Sequence, residues 1–228
     1  MCIAIYKPKE SEIAKNTLKE CWESNPHGAG LMYAINGKVK IVKELKSFKR
    51  FLKQFREHEK AGADMVIHFR IMTHGKIDFR NTHPHRVNKD TWLVHNGIIA
   101  EHCHKNATLS DTAKFCKMIA ELPQDFMDNR ATLNLIGGYI DTDKMILLNR
   151  QGKIQIINEE LGVWDDGIWY SNQSYETVKM NKWYDTRFYS PYDTDTECLF
   201  CSVSLSPKES KSGVCEFCES RTESRIAN

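Results

Sequence analysis

The chain has 228 residues, of which 41% are hydrophobic, 27% charged and 10% aromatic. These proportions are typical of a folded globular protein and exclude the disordered, collagen-like and coiled-coil classes. Because 32 basic residues stand against 30 acidic ones, the formal net charge is only +2, and no overall field would draw the chain to nucleic acid or to an anionic membrane. The length allows one sizeable core and a small appendage.

The cysteines and the apolar runs indicate the cellular compartment. No apolar run approaches the ~20 residues of a membrane-spanning helix, and the first apolar stretch, Cys2 to Tyr6, is too short for a signal peptide. We therefore expect a cytoplasmic protein with no membrane partner. In that compartment, metal-binding or catalytic roles fit the eight cysteines better than disulfides do.

The first sixty residues predict strands and amphipathic helices. Asn36-Gly37 supplies the positive φ angles of a type I′ turn and therefore predicts a hairpin. Apolar residues at helical spacing, from Phe48 to Phe55, predict a helix with a basic outer face. The predicted elements are a strand at Met1–Tyr6, a helix at Ser11–Trp22, strands at Leu31–Ile35 and Val39–Val42, and a helix at Lys46–Lys60.

The middle of the chain predicts buried strands around a polar loop. This loop, between residues 69 and 91, is rich in Arg, Thr and His, and loops held by strands often carry chemistry. A helix capped by Ser110 or Asp111 follows. The predicted elements are strands at Met65–Phe69 and Thr91–Val94, a helix at Ser110–Leu122, and strands at Gly138–Ile140, Met145–Leu148, Ile154–Ile157 and Ile168–Ser171.

Cys2 stands directly behind the initiator Met1. Removal of Met1 would leave a thiol and a free α-amine on one residue, which makes a nucleophile and its base together. Typical pKa values of ~8.5 for a thiol and ~7.7–8.0 for an α-amine allow proton exchange near neutral pH. By position alone a non-catalytic cysteine is favoured, because a small residue after Met is common.

Six short blocks occur in the order and approximate spacing of the class II glutamine amidotransferases, and the chain resembles that family over about residues 2–172. The resemblance implies an α+β fold, the four-layer αββα sandwich of N-terminal-nucleophile hydrolases, in a domain spanning residues 2–182. The blocks are Cys2-Ile-Ala-Ile-Tyr, Asn25-Pro-His-Gly-Ala-Gly-Leu, His68-Phe-Arg-Ile-Met-Thr-His-Gly, Asn81-Thr-His-Pro-His, Leu93-Val-His-Asn-Gly-Ile-Ile and Ser110-Asp-Thr.

The resemblance also implies how the residues act on L-glutamine. Cys2 would attack the side-chain amide, and the Asn96 amide with the Gly97 N–H would form the oxyanion hole. Arg70 would bind the α-carboxylate with its planar fork, and Asp111 would pair with the α-ammonium. Thr73, His74 and Gly75 would frame the same pocket, with His83 and His85 in the loop beside it. Two residues depart from the family pattern: Ile71, where an aromatic residue is common, and Asn172, where an acid is frequent.

The C-terminal cysteines have the spacing of a four-thiolate zinc ribbon. Two CxxC turns can bring four sulfurs to ~2.3 Å from Zn²⁺, and such a closed site is structural. We predict a linker at residues 183–197, a zinc module at 198–220 and a tail at 221–228. The predicted ligands are Cys198, Cys201, Cys215 and Cys218. Basic residues near them permit a nucleic-acid contact, although a protein-docking or stabilising role fits equally well.

Two functions from different classes follow. The first is a glutamine amidotransferase or glutaminase. Only about 55 residues follow the region of resemblance at residues 2–172, too few for a synthase domain, so we expect ammonia to pass to a separate acceptor protein or to be released with glutamate. The alternative is a catalytically idle scaffold that binds a protein or nucleic acid through its zinc ribbon. A metal site at His95, His102, Cys103 and His104 is not expected, because neighbouring residues on a regular strand cannot all face one ion.

Overall fold

The structure, a computed structural model, describes residues 2–72, 76–103 and 108–176. It is a mixed α/β fold. In chain order, its strands and α-helices are β1 (Ile3–Lys7), α1 (Lys15–Ser24), β2 (Ala29–Ile35), β3 (Lys38–Glu44), α2 (Phe48–Glu59), β4 (Met65–Phe69), β5 (His85–Arg86), β6 (Thr91–Asn96), α3 (Asp111–Ile119), α4 (Arg130–Ile140), β7 (Lys144–Asn149), β8 (Ile154–Ile157), β9 (Val163–Asp165) and β10 (Ile168–Tyr170).

The strands form two antiparallel sheets. The first has the order β3-β2-β4-β1-β10-β9, and the second has the order β5-β6-β7-β8. Strand β1 therefore lies in the interior of the first sheet, between β4 and β10, with Ala4 opposite His68 and Ile5 opposite Tyr170. This register brings the beginning of the chain beside the end of β4 and the end of β10.

Alternate residues of the first sheet face two different cores, as expected for a pleated strand buried on both sides. In β1, Ile3 and Ile5 belong to a cluster that contains residues of α1 and α2, such as Leu18 and Phe51. Ala4, between them, belongs to a second cluster.

That second cluster joins the two sheets. It contains Met32 and Val66 from the first sheet and Val94, Ile146 and Leu148 from the second. A third cluster lies on the other face of the second sheet, where apolar residues of β6 and β7 pack with α3 and α4. Its members include Leu93, Leu147, Phe115, Ile119, Ile136 and Ile140.

The predictions for the hairpin and the second helix are confirmed. Asn36 and Gly37 have φ angles of 51° and 68°, as a type I′ turn requires, and they connect β2 to β3. In α2, Phe51 and Phe55 are fully buried. Ser47 caps this helix by accepting a hydrogen bond from Arg50 N at 3.3 Å.

The strand predicted at Gly138–Ile140 is wrong, because these residues are the last turn of α4. Asn129 caps this helix, and its buried residues Ile136 and Ile140 are four apart. Two adjacent glycines disguised the helical pattern. A Cβ on Gly137 would lie 3.3 Å from Ile157 Cγ2, so the small residue allows close packing of α4 on β8.

Other boundaries differ by a few residues. Helix α1 begins at Lys15 rather than Ser11, because the Ser11 hydroxyl donates to Gly167 O at 3.0 Å and belongs to the preceding turn. Strands β5 and β9 were not predicted and are only two and three residues long. Helices within the described residues include none that is both long and apolar enough to span a membrane. The predicted domain boundary at residue 182 and the zinc module lie outside the described residues.

Candidate active site

A cleft opens where β1 begins and where β4 and β6 end. Strand pleating explains the convergence: Cys2, Arg70 and Asn96 occupy the same alternating positions as Ala4, Val66 and Val94, which face the other sheet. The residues that line the cleft are Cys2, Arg70, Ile71, His83, His95, Gly97, Ser110, Asp111 and Thr112.

Cys2 is held at the mouth of the cleft by its neighbours. Its thiol lies 3.3 Å from both the N and the O of Ile71, so it can accept one hydrogen bond and donate another. Its carbonyl accepts a hydrogen bond from Asn172 Nδ2 at 2.7 Å. Burial raises the pKa of the Cys2 thiol, although the Ile71 N–H and the Arg70 charge oppose this shift. The group therefore needs a base to become a thiolate.

Arg70 and Asp111 place opposite charges in the cleft. Arg70 is only 3% exposed, and its Nη1 donates to Lys76 O at 3.1 Å. Burial lowers the pKa of the guanidinium, while the charges of Cys2 and Asp111 raise it. Asp111 stands at the start of α3, and its Oδ2 accepts a hydrogen bond from Ile99 N at 2.8 Å. Ser110, and not Asp111, caps α3 through Ala113 N.

Asn96 and Gly97 end strand β6. Gly97 has a φ of +149°, a conformation that residues with a side chain rarely adopt. The Asn96 side chain donates from Nδ2 to Ser171 Oγ at 2.8 Å. Its Oδ1 is buried and has no hydrogen-bond partner among the described residues.

A buried hydrogen-bonded chain supports this segment from the α3 side. His95 Nδ1 lies 3.0 Å from Thr112 Oγ1, and its Nε2 lies 3.1 Å from Asp143 Oδ2. Thr112 and His95 are each about 2% exposed. Thr112 and Asp143 therefore hold the imidazole on both sides, directly before the Asn96-Gly97 dipeptide.

Three further histidines lie buried beside the cleft. The rings of His68 and His83 stack with centroids 4.0 Å apart, and His85 packs edge-on against His83 at 4.5 Å. His83 Nδ1 accepts a hydrogen bond from His95 N at 3.1 Å. Burial lowers the pKa of all three imidazoles, that of His85 to about 3, so they are neutral components of the wall.

The structure thus brings Cys2, Arg70, Gly97 and Asp111 to one cleft, with Asn96 next to it. Thr73, His74 and Gly75 lie outside the described residues, as do His104 and the four predicted zinc ligands. In the part of the chain that the structure describes, no group of three or more His, Cys, Asp or Glu side chains could hold a metal ion. Ser171, Thr112 and Asp143 were not predicted.

Comparison with known proteins adds one sequence similarity. No protein-family model matches the chain. Over 102 residues, 45% of its length, the chain is 29% identical to glutamine–fructose-6-phosphate aminotransferase (isomerizing) of Shewanella oneidensis, and it spans 17% of that enzyme. A solved structure of glutamine phosphoribosylpyrophosphate amidotransferase from B. subtilis, complexed with ADP and GMP, aligns with a TM-score of 0.42 and 12% identity over 75% of this chain and 41% of that one. The sequence match is therefore to part of a longer aminotransferase.

Proposed function

We propose that the chain is a class II glutamine amidotransferase or glutaminase with Cys2 as its nucleophile. The observation that carries this proposal is the convergence of a thiol, a buried guanidinium and a carboxylate on one cleft. The weak sequence similarity to a glutamine-dependent aminotransferase points the same way. Helix-backed sheets on either side of a shared core support the four-layer αββα arrangement that this proposal includes.

The charges of the cleft complement the free amino acid. Glutamine carries an α-carboxylate and an α-ammonium, and its side-chain amide is neutral. Arg70 binds the carboxylate through two parallel hydrogen bonds, and Asp111 pairs with the ammonium. Because both partners are buried, few solvent molecules screen the two charge pairs. With both charged groups of glutamine held, its side-chain amide is directed toward Cys2. Thr73, His74 and Gly75 complete this pocket in the proposal.

The chemistry uses the residues around Cys2 and requires that Met1 is removed. The α-amine of Cys2 takes the thiol proton, and Sγ forms a bond to the amide carbon of glutamine. Asn96 and the Gly97 N–H stabilise the negative oxygen of the tetrahedral intermediate. The ammonium then returns the proton to the leaving nitrogen, the C–N bond breaks, and ammonia departs from a glutamyl thioester. Water hydrolyses the thioester to glutamate and restores the thiol.

We further propose that the ammonia acceptor belongs to another protein. The name of the matched relative includes fructose-6-phosphate as well as glutamine, and this chain spans 17% of that enzyme, so the name supplies no acceptor for this chain. The four C-terminal cysteines are proposed to bind one structural zinc ion.

Intact-protein mass spectrometry with a diazoketone analogue of glutamine tests the function. The analogue presents an electrophilic carbon in place of the amide, so a working pocket should give one covalent adduct on a chain that lacks Met1. Cys2→Ala should abolish the adduct. Cys103→Ser is the matched control, because Cys103 is the other partly exposed cysteine of the described residues, and this variant should label like the wild type.

Glutamine hydrolysis is measured in the same samples by release of ammonia. A chain that keeps Met1, takes no label and releases no ammonia would contradict the proposal and favour the idle scaffold. Labelling that survives Cys2→Ala would show that another nucleophile reacts.

A further inference from the structure

The end of β10 connects the nucleophile to the proposed oxyanion donor. Ser171 N donates to Ala4 O at 2.9 Å, and Ser171 Oγ accepts hydrogen bonds from Ala4 N at 2.9 Å and Asn96 Nδ2 at 2.8 Å. The next residue, Asn172, binds the Cys2 carbonyl. One dipeptide therefore contacts both halves of the proposed catalytic centre, on two different sheets.

The hydrogen bonding of Asn96 is incomplete in this arrangement. Ser171 Oγ accepts two hydrogen bonds, while the buried Asn96 Oδ1 has no partner among the described residues. An unpaired buried acceptor destabilises the folded state. A rotation of the amide by 180° preserves its shape and exchanges Nδ2 and Oδ1. Ser171 can then donate its hydroxyl proton to Oδ1 while it still accepts from Ala4 N.

After the rotation, neither N–H of Nδ2 has a partner among the described residues. Nδ2 then takes the position that Oδ1 has now. Asn96 and Cys2 share the face between the two sheets, because each lies two residues from Val94 or Ala4, which belong to the cluster between the sheets. A donor without a partner in the resting protein is suited to a negative oxygen that exists only during the reaction.

We propose that Ser171 is a positioning residue, which donates to Asn96 Oδ1 and thereby turns Nδ2 toward the oxyanion formed at Cys2. This inference rests on the proposed function. Ser171 touches no reacting atom, since it acts through Asn96. Its effect belongs to the transition state, where charge develops on the oxygen, rather than to the binding of glutamine.

A double-mutant cycle tests this role with Ser171→Ala, Asn96→Ala and the double variant, all assayed for glutamine hydrolysis. We expect Ser171→Ala to lower kcat by about 10-fold to 100-fold, with KM changed less than about twofold, because one oxyanion donor contributes about 100-fold to 1000-fold to kcat. In the Asn96→Ala background, the same Ser171 change should have no further effect. If Ser171→Ala acted only through loss of the hydrogen bond from Ala4 N, it would lower kcat equally in both backgrounds.

Equal losses of kcat in the two backgrounds, or an unchanged kcat in Ser171→Ala, would overturn the positioning role. Urea unfolding of each variant shows whether it folds. If Ser171→Ala does not fold, Ser171→Cys replaces it in the cycle, because a thiol has nearly the same shape and is a weaker donor. A wild-type chain that neither hydrolyses glutamine nor takes the label overturns the proposed function as well, whereas an active wild type with additive losses overturns only the role of Ser171.

Discussion

Gly97 packs directly against the carboxylate of Asp143. A Cβ on Gly97 would lie 1.9 Å from Asp143 Cγ, far inside any permitted contact. The same glycine has a φ of +149°. The close approach and the backbone conformation therefore both require glycine at the position whose N–H is proposed to bind the oxyanion.

We expect Gly97→Ala to lower kcat for glutamine hydrolysis by at least about 100-fold, because the Gly97 N–H would be displaced from the oxyanion. The matched control is Gly138→Ala, on the exposed face of α4, where a Cβ meets nothing within 4 Å. This control should keep full activity and raise the free energy of unfolding by up to about 1 kcal/mol. Full activity in Gly97→Ala would contradict the assignment.

Asp143 also accounts for the second hydrogen bond of His95. Asp143→Ala removes the partner of His95 Nε2, which is buried. We expect the free energy of unfolding to fall by about 1–3 kcal/mol, measured by urea denaturation at neutral pH. Asp128→Ala is the control, since it breaks a surface ion pair with Lys153 and should change the same quantity by at most about 1 kcal/mol. Equal losses in the two variants would show that burial of the Asp143 contact is unimportant.

Arg70→Lys tests how glutamine is bound. A lysine keeps the charge but cannot form two parallel hydrogen bonds to a carboxylate. Loss of one charged hydrogen bond, about 1.5–3 kcal/mol, should raise KM for glutamine by roughly 10-fold to 150-fold. The free energy of unfolding should change by less than this binding energy. Arg86→Lys, an exposed arginine on β5, should leave KM unchanged, and an unchanged KM in Arg70→Lys would refute its role.

The fold could be predicted where the signals are local. The Asn36-Gly37 turn and the spacing of Phe51 and Phe55 depend on neighbouring residues, and these elements were placed within a few positions. The Gly137-Gly138 pair broke the helical pattern of α4 because its reason is tertiary, namely close packing against Ile157. Composition and periodicity in one segment carry no information about such a contact.

The candidate site shows the same contrast between local sequence signals and tertiary contacts. Cys2, Arg70, Gly97 and Asp111 lie in recognisable blocks, and the structure brings them to one cleft. Ser171 was missed because its partner Asn96 is 75 residues away in the chain, and Asp143 because His95 is 48 residues away. These are ordinary residue types at strand ends, and only the packing of the two sheets pairs them with the motifs.

The buried histidines predict a loss of stability in acid. Burial, followed by the charges of Lys43 and Arg70, lowers the pKa of His85 to about 3, against ~6.5 in the unfolded chain. Below pH ~6.5 the unfolded state therefore binds a proton that the folded state does not. The contribution of neutral His85 to the free energy of unfolding is complete above pH ~6.5. It is lost as the pH falls toward 3, with a slope of about 1.4 kcal/mol per pH unit.

Urea denaturation between pH 7.5 and 5 measures this slope. His68 and His83, whose pKa values burial also lowers, should add to it. His85→Gln should reduce the slope below pH ~6.5 by about 1.4 kcal/mol per pH unit relative to the wild type, which corresponds to one proton. A wild-type free energy of unfolding that stays constant over this range, or a slope unaffected by His85→Gln, would contradict the prediction.

Removal of zinc tests whether the cleft works independently of the C-terminal module. The predicted ligands Cys198 and Cys215 lie outside the described residues, whereas the cleft is lined by residues between 2 and 112. Native mass spectrometry should find about one zinc ion per wild-type chain and none in Cys198→Ser/Cys215→Ser, since a structural site needs all four thiolates. Cys103→Ser should keep the metal. Because the cleft contributes no ligand, labelling of Cys2 by the glutamine analogue should be the same with and without zinc. Zinc retained by the double variant would refute the predicted ligand set. Labelling lost with the metal would refute the independence of the cleft from the zinc site.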